Sequence, residues 1–148
     1  MAESRFRAGS LDHAHVFVPD RERAAAWYRE VLGLEVVAEH AHWAADGGPL
    51  TVSADGGRSG IALFEGSAPA VHERKRVIAF RVDADAFVGF VRTIEARALV
   101  DRHGEPVTRA SAVDHGEAFS IYFTDPWGNP YEITTYDADS ARAGLVVG

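Results

Sequence analysis

The chain has 148 residues, of which 47% are hydrophobic and 25% are charged, and its net charge is -7. This length suffices for one compact protein with a sizeable core, and the acidic balance argues against a nucleic-acid-binding protein, which usually presents a basic face. There is no cysteine, which excludes disulfides, thiolate nucleophiles and cysteine-based zinc sites.

The first half of the chain predicts a strand, a helix and three further strands. Pro19 ends the first strand, Asp20 can cap the helix, and Gly33 is placed to end it. The predicted elements are a strand at 11–18, a helix between 20 and 33, and strands at 34–37, 50–53 and 61–64. Whether the strand at 34–37 continues to Trp43 stays open.

The second half predicts the same order again. Asp83 is the candidate cap of the second helix, and the stretch 125–129, DPWGN, is typical of a tight turn. The tail is either a loose helix or disordered. The predicted elements are a strand at 77–82, a helix after 83, an irregular strand at 106–110, and strands at 118–123 and 131–136.

Two units of the same order indicate an internal duplication. Its predicted boundaries are a tail at 1–9, a first module at 10–66, a linker at 67–75, a second module at 76–136 and a tail at 137–148. Aligning the strands that enter the helices sets His13 against Val77. Aligning the last strands sets Ala62 against Glu132.

The N-terminus and the hydropathy pattern argue against export and membrane insertion. Residues 1–9 have no apolar core, so they do not form a signal peptide. No apolar run approaches the roughly 20 residues that span a bilayer. We therefore expect a cytoplasmic protein with a small-molecule partner, without nucleic acid or membrane.

Three stretches carry a family resemblance: LDHAHVFVPD at 11–20, AAAWYREVLGLEV at 24–36 and HGEAFSIYFTDPWGNPYEI at 115–133. The chain resembles the vicinal oxygen chelate superfamily, which includes glyoxalase I, extradiol dioxygenases, fosfomycin-resistance enzymes and bleomycin-binding proteins. The resemblance implies an α+β fold of two βαβββ modules forming a curved mixed sheet, a cup, in the glyoxalase/bleomycin resistance/dioxygenase fold. It also implies a homodimer.

The resemblance places metal ligands at His13, Ala62, Val77 and Glu132. Only His13 and Glu132 can bind a metal, which would be iron, nickel, manganese or zinc. His15 lies on the same face of its strand as His13, but about 7 Å further along, too far to reach the same ion without a bulge. The predicted metal site is therefore incomplete, with two protein ligands.

Further candidates surround these positions. By resemblance, His115 is an acid-base residue behind the ligand; otherwise it is an exposed loop residue. Tyr122 either donates a phenol hydrogen bond into the cup or packs. Arg81 binds a ligand carboxylate or pairs with an acid, and Trp43 lines the cavity or packs in the core. Two residues complete the set of ligand-binding candidates, His15 and Phe64.

Three functions remain open on the sequence. The first is a glyoxalase-like lyase or extradiol-dioxygenase-like enzyme, in which a metal acts as a Lewis acid and His115, Tyr122 or Glu132 handles protons. The second is a metal-free protein that sequesters an antibiotic or metabolite, which the missing ligands favour. The third is a metal-free enzyme with Glu132 as the base.

Overall fold

The computed structural model describes residues 11–45, 47–66 and 77–147 of the chain. The chain divides into two compact units, Met1–Ala70 and Val71–Gly148, called unit 1 and unit 2 below. The predicted N-terminal tail and the predicted linker lie outside the described residues. No helix in the described ranges is long and apolar enough to cross a membrane.

Unit 1 is a four-stranded mixed sheet with one long helix. The elements are β1 His13–Val18, α1 Arg21–Leu32, β2 Glu35–Val36, α2 His42–Ala45, β3 Leu50–Ser53 and β4 Gly60–Glu65. The strand order is β1-β4-β3-β2, in which β1 runs parallel to β4 and the other neighbours are antiparallel. Helix α1 packs on β3 and β4.

Helix α1 begins and ends where the sequence predicts. The Asp20 carboxylate accepts a hydrogen bond from the backbone N–H of Arg23 at 2.9 Å, which satisfies one of the unpaired amides of the first turn. Gly33 adopts the left-handed conformation with φ of 69°, which costs glycine no steric strain. The helix buries Ala24 and Tyr28.

The strand predicted to start at 34–37 is present as β2, but it does not continue to Trp43. Strand β2 has two residues, and a 3-10 turn at Ala38–His40 and helix α2 follow it. Histidines at 40 and 42 fit the period of a strand, but the alanine and glutamate next to them favour helix. Trp43 therefore lies in a short helix.

Unit 2 repeats the plan. The elements are β5 Ile78–Arg81, α3 Ala84–Arg92, β6 Val113–Asp114, β7 Phe119–Thr124, β8 Pro130–Thr135 and α4 Ala138–Val146. The strand order is β5-β8-β7-β6, with β5 parallel to β8 and the other neighbours antiparallel. Helix α3 packs on β8 and α4, with Asp83 as its cap. Two units of this order confirm the predicted α+β fold of two βαβββ modules.

The DPWGN turn joins β7 to β8 through the Asp125 carboxylate. The side chain is 1% exposed, and its Oδ1 accepts from the backbone N–H groups of Trp127 at 3.0 Å and Asn129 at 2.8 Å. The amide of Asn129 donates to Oδ2 at 2.6 Å, and Gly128 has φ of 88°. These contacts confirm the predicted turn, which sets where β8 begins.

Two other predictions in unit 2 have different outcomes. The irregular strand predicted at 106–110 is wrong, because this stretch holds an isolated bridge of Pro106 to Val100 and the start of a 3-10 turn, Arg109–Ser111. Thr108 and Ser111 cap that turn reciprocally, which offers the backbone an alternative to a strand. Of the two alternatives for the tail, the helix is correct, since α4 occupies most of it.

The contact between α3 and α4 depends on a glycine. A Cβ added to Gly144 would lie 2.8 Å from Val88 Cγ2, so we expect Gly144→Ala to lower the free energy of unfolding by about 1–2 kcal/mol through overpacking. Gly89 on α3 is the matched control, with nothing within 4 Å of an added Cβ. Gly89→Ala should raise stability by about 0.5–1 kcal/mol. Urea unfolding of both variants checks this, and shifts of the same sign would contradict the packing argument.

Candidate functional site

Two histidines stand on the exposed face of β1. Along this strand Val16 and Val18 are buried, whereas His13 and His15 are exposed, because successive side chains of a strand point to opposite faces. The Nε2 atoms of the two imidazoles are 3.0 Å apart, and Asp12 Oδ2 lies 2.6 Å from His13 Nδ1. The sequence estimate of about 7 Å between the two donors is wrong, because it gives the backbone spacing and the two rings lean together.

The other two positions that the resemblance singles out carry no donor. Ala62 is buried in β4, and Val77 immediately precedes β5. In the parallel pairs, Ala62 lies opposite His15 and Glu132 lies opposite Ala79. His15 lies two residues after His13, and Ala79 lies two residues after Val77, the two positions that the duplication aligned. The parallel strand pairs of the two units therefore have the same register.

The aromatic candidates of unit 1 lie in two different settings. Phe64 is half-buried on β4, and its ring centroid is 4.7 Å from that of His15. Trp43 is 43% exposed on α2 and stacks on His40 at 4.3 Å. Of the two alternatives for Trp43, core packing is therefore wrong, and its contact with a ligand stays a prediction.

Glu132 in unit 2 is half-buried and held by a hydroxyl group. Ser120 donates to Glu132 Oε1 at 2.6 Å and also lies 3.1 Å from Thr134 Oγ1. A serine has one hydroxyl proton, and the charged acceptor at the shorter distance takes it.

Tyr122 lies directly opposite Glu132 in the antiparallel pair of β7 and β8, so both side chains project from the same face. Its phenol oxygen is 3.2 Å from His115 Nε2. Burial raises the pKa of Tyr122; the Ser120 hydroxyl opposes the rise and the Glu132 carboxylate adds to it. The phenol is therefore protonated at neutral pH and serves as a donor.

Arg81 lies on the same face of the sheet, opposite Thr134. Its guanidinium stands 4.3 Å from the ring centroid of Tyr136, an arrangement typical of a cation–π contact. The partner of Arg81 is therefore an aromatic ring and not the acid that was one of the two alternatives. The other alternative, that Arg81 binds a ligand carboxylate, stays a prediction.

Two polar residues of these sites escaped the sequence analysis. Ser120 precedes Tyr122 by two residues on one strand, so the period of two could have placed both on one face. Asp12 directly precedes His13, but the sequence does not predict that the Asp12 carboxylate contacts the His13 imidazole. The orientation of a rotatable side chain is fixed by three-dimensional neighbours.

The donor set partly fits the metal that the resemblance implies. Within the described ranges, no group of three or more histidine, aspartate or glutamate side chains is placed to hold an ion. Unit 1 nevertheless offers two imidazole nitrogens 3.0 Å apart, one of them on a ring held by a carboxylate. Imidazole donors with such a partner suit first-row divalent metals.

The family model of the glyoxalase/bleomycin resistance protein/dioxygenase superfamily matches residues 10–133. The chain belongs to this superfamily. The match runs from before β1 to within β8, and it includes His13, His115, Tyr122 and Glu132. No curated protein sequence matches the chain.

Solved structures with this superfamily fold are similar across most of the chain. A glyoxalase family protein from Bacillus anthracis is 20% identical with a TM-score of 0.65, and the match covers 90% of this chain and 99% of that one. The oxidase ChaP-H2 is 23% identical with a TM-score of 0.62, covering 87% and 94%. The fosfomycin resistance protein FosX from Listeria monocytogenes, in a complex with Mn(II) and 1S,2S-dihydroxypropylphosphonic acid, is 17% identical with a TM-score of 0.63, covering 91% and 96%. At these identities the likeness shows the fold.

Proposed function

We propose that the protein is an enzyme that binds a small oxygenated metabolite and takes a proton from it with Glu132. The 2.6 Å hydrogen bond from Ser120 to Glu132 Oε1 carries this proposal. A surface glutamate in water needs no such partner, whereas a general base gains from being fixed against its substrate. The side chain is only half-buried, so a ligand can reach it.

The residues around Glu132 have different roles in proton transfer. Ser120 donates a hydrogen bond to Oε1 of Glu132, and we propose that Oε2 accepts the proton of the ligand. Tyr122, opposite Glu132 and protonated at neutral pH, donates a hydrogen bond to a ligand oxygen on which negative charge develops. His115, 3.2 Å from the phenol oxygen, is placed to return a proton to the product.

This arrangement suits a proton next to a carbonyl group, as in lyase and isomerase chemistry. The C–H bond breaks, the proton goes to Glu132, and the electron pair moves to the carbonyl oxygen, where the phenol of Tyr122 stabilises it. A ligand with two neighbouring oxygens is favoured, because a similar fold holds a vicinal dihydroxy compound in FosX. Arg81 is the candidate partner for a carboxylate on the ligand.

A divalent cation of iron, nickel, manganese or zinc would supply a Lewis acid for the ligand oxygens when bound. By resemblance, His13 and Glu132 have the donor chemistry for it. The homodimer and the cytoplasmic location stay predictions.

The second candidate function is sequestration of an antibiotic or metabolite without metal or reaction. The observation in its favour is that Ala62 and Val77 occupy two positions where metal-dependent relatives carry ligands. Trp43 in unit 1 is 43% exposed and Tyr122 in unit 2 is 39% exposed, so each ring by itself can stack on a planar guest.

A thermal-shift screen distinguishes the two functions when it is followed by product analysis. We expect α-hydroxyketones, vicinal diols or catechols to stabilise the protein, by about 2.7 kcal/mol at 100 times the dissociation constant. NMR spectra of the recovered ligand then decide between the candidates. A converted ligand supports the enzyme, a ligand recovered unchanged supports sequestration, and an absence of stabilising compounds in all three classes contradicts the proposed ligand class.

A further inference from the structure

We propose that His13 and His15 together bind one first-row divalent cation through their Nε2 atoms, and that Asp12 orients the His13 ring for this role. His15 is not among the positions where the resemblance places metal ligands, so the site differs from the expected one. It lies wholly within unit 1, and metal binding is measured with the ion alone. A failure of this proposal is therefore separate from a failure of the reaction assigned to Glu132.

The distances suit a two-nitrogen chelate. The Nε2 atoms are 3.0 Å apart, the ring centroids are 4.9 Å apart and the ring planes are inclined by 20°, so the two nitrogens are nearer to each other than the ring centres are. With metal–nitrogen bonds of about 2.0–2.1 Å, this spacing corresponds to an angle of roughly 95° at the metal, near that between neighbouring ligands of an octahedral ion. The His13 side chain is 46% exposed, which leaves room for the rings to turn towards one ion and for water to complete the coordination.

The proton arrangement also favours a metal. A neutral His13 that donates Nδ1–H to Asp12, at 2.6 Å, keeps a lone pair on Nε2. A carboxylate on the second ring nitrogen is the usual partner of a metal-binding histidine. With that tautomer of His13, a proton on His15 Nε2 satisfies the 3.0 Å contact between the two Nε2 atoms. Binding requires only that the His15 proton sit on Nδ1, so the ring stays neutral.

The chain contains a matched control for a His-x-His sequence. His40 and His42 have the same spacing, but they lie in a 3-10 turn and in α2, and both rings contact Trp43, with centroids at 4.3 and 5.4 Å. If two histidines at this spacing sufficed, the second pair would bind as well. The strand geometry at 13 and 15 is what brings the nitrogens together.

Calorimetric titration of the tag-free, chelator-treated full chain with Ni²⁺, whose neighbouring ligands lie about 90° apart, tests the proposal. We expect one equivalent to bind. Affinity should fall at least about tenfold in His15→Ala and in His13→Ala and about tenfold in Asp12→Asn, and should be unchanged in His40→Ala. Bound Cu²⁺ should show two coordinated imidazole nitrogens by electron spin-echo spectroscopy in the wild type and one in His15→Ala.

Two results would overturn the site. One is an absence of saturable binding by the wild type, which leaves His13 and His15 as a hydrogen-bonded pair only. The other is wild-type affinity in His15→Ala, which assigns any binding to other donors. Because both histidines are exposed, circular dichroism and melting temperature should be unchanged in the variants, so a loss of binding is not a loss of fold.

Discussion

Glu132→Gln is expected to lower turnover of the ligand by about 10²–10⁴-fold, the usual contribution of a positioned general base. Glutamine has nearly the same shape, and its amide oxygen still accepts the hydrogen bond from Ser120. The variant therefore keeps the fold and the position of the side chain, and loses the ability to accept a proton. Steady-state kinetics on a compound found in the thermal-shift screen measures the effect.

Glu105→Gln is the matched control for that variant. Glu105 is exposed in the segment between α3 and β6, and its substitution removes the same charge from the same unit. We expect its turnover to stay within about twofold of the wild type, since surface changes away from a site have small effects. Equal losses in both variants would mean that net charge, and not a base at Glu132, governs the rate.

Asp125→Ala is expected to lower the free energy of unfolding by about 2–4 kcal/mol. The carboxylate is 1% exposed and accepts from two backbone N–H groups and the Asn129 side chain. Its removal leaves these donors without their acceptor, at about 1–3 kcal/mol for each one that stays buried. The same turn sets the start of β8, so ligand binding at Glu132 should weaken as well.

Urea unfolding measures this loss, and two further variants bracket it. Asp125→Asn keeps an oxygen that can accept from the backbone of Trp127 and Asn129, so we expect an intermediate stability. Asp139 has a side chain 99% exposed that pairs with Arg142, and Asp139→Ala should change stability by no more than about 0.5 kcal/mol. A loss for Asp125→Ala no larger than that for Asp139→Ala would contradict the role of the turn.

The features that were predictable from the sequence are local ones. Asp20 and Gly33 bound α1, and Asp125 with Gly128 builds the turn before β8, because in each case a side chain bonds to a backbone group within four residues or glycine permits a positive φ. The repeated element order gave the two modules and aligned Ala62 with Glu132. The fold class was therefore predictable, because it follows from patterns among residues that are close in the sequence.

The features that were missed depend on contacts between side chains or on weak competing signals. The segment around Trp43 carried alternating histidines and helix-forming alanines, and the helix prevailed. The 3.0 Å approach of His13 and His15 requires particular rotamers, which strand spacing does not specify. The hydrogen bond between Ser120 and Glu132 could not be predicted, because it depends on the register between β7 and β8, which the sequence does not specify.

The most direct test of the central claim, that Glu132 takes a proton from an oxygenated ligand, is solvent exchange followed by proton NMR. The wild-type protein in D₂O is mixed with an α-hydroxyketone from the ligand screen. We predict that deuterium enters the carbon next to the carbonyl faster than in buffer alone, and that Glu132→Gln reduces the rate to near that of buffer. Binding of the same compound by the wild type without exchange, or equal exchange by both proteins, would contradict the claim.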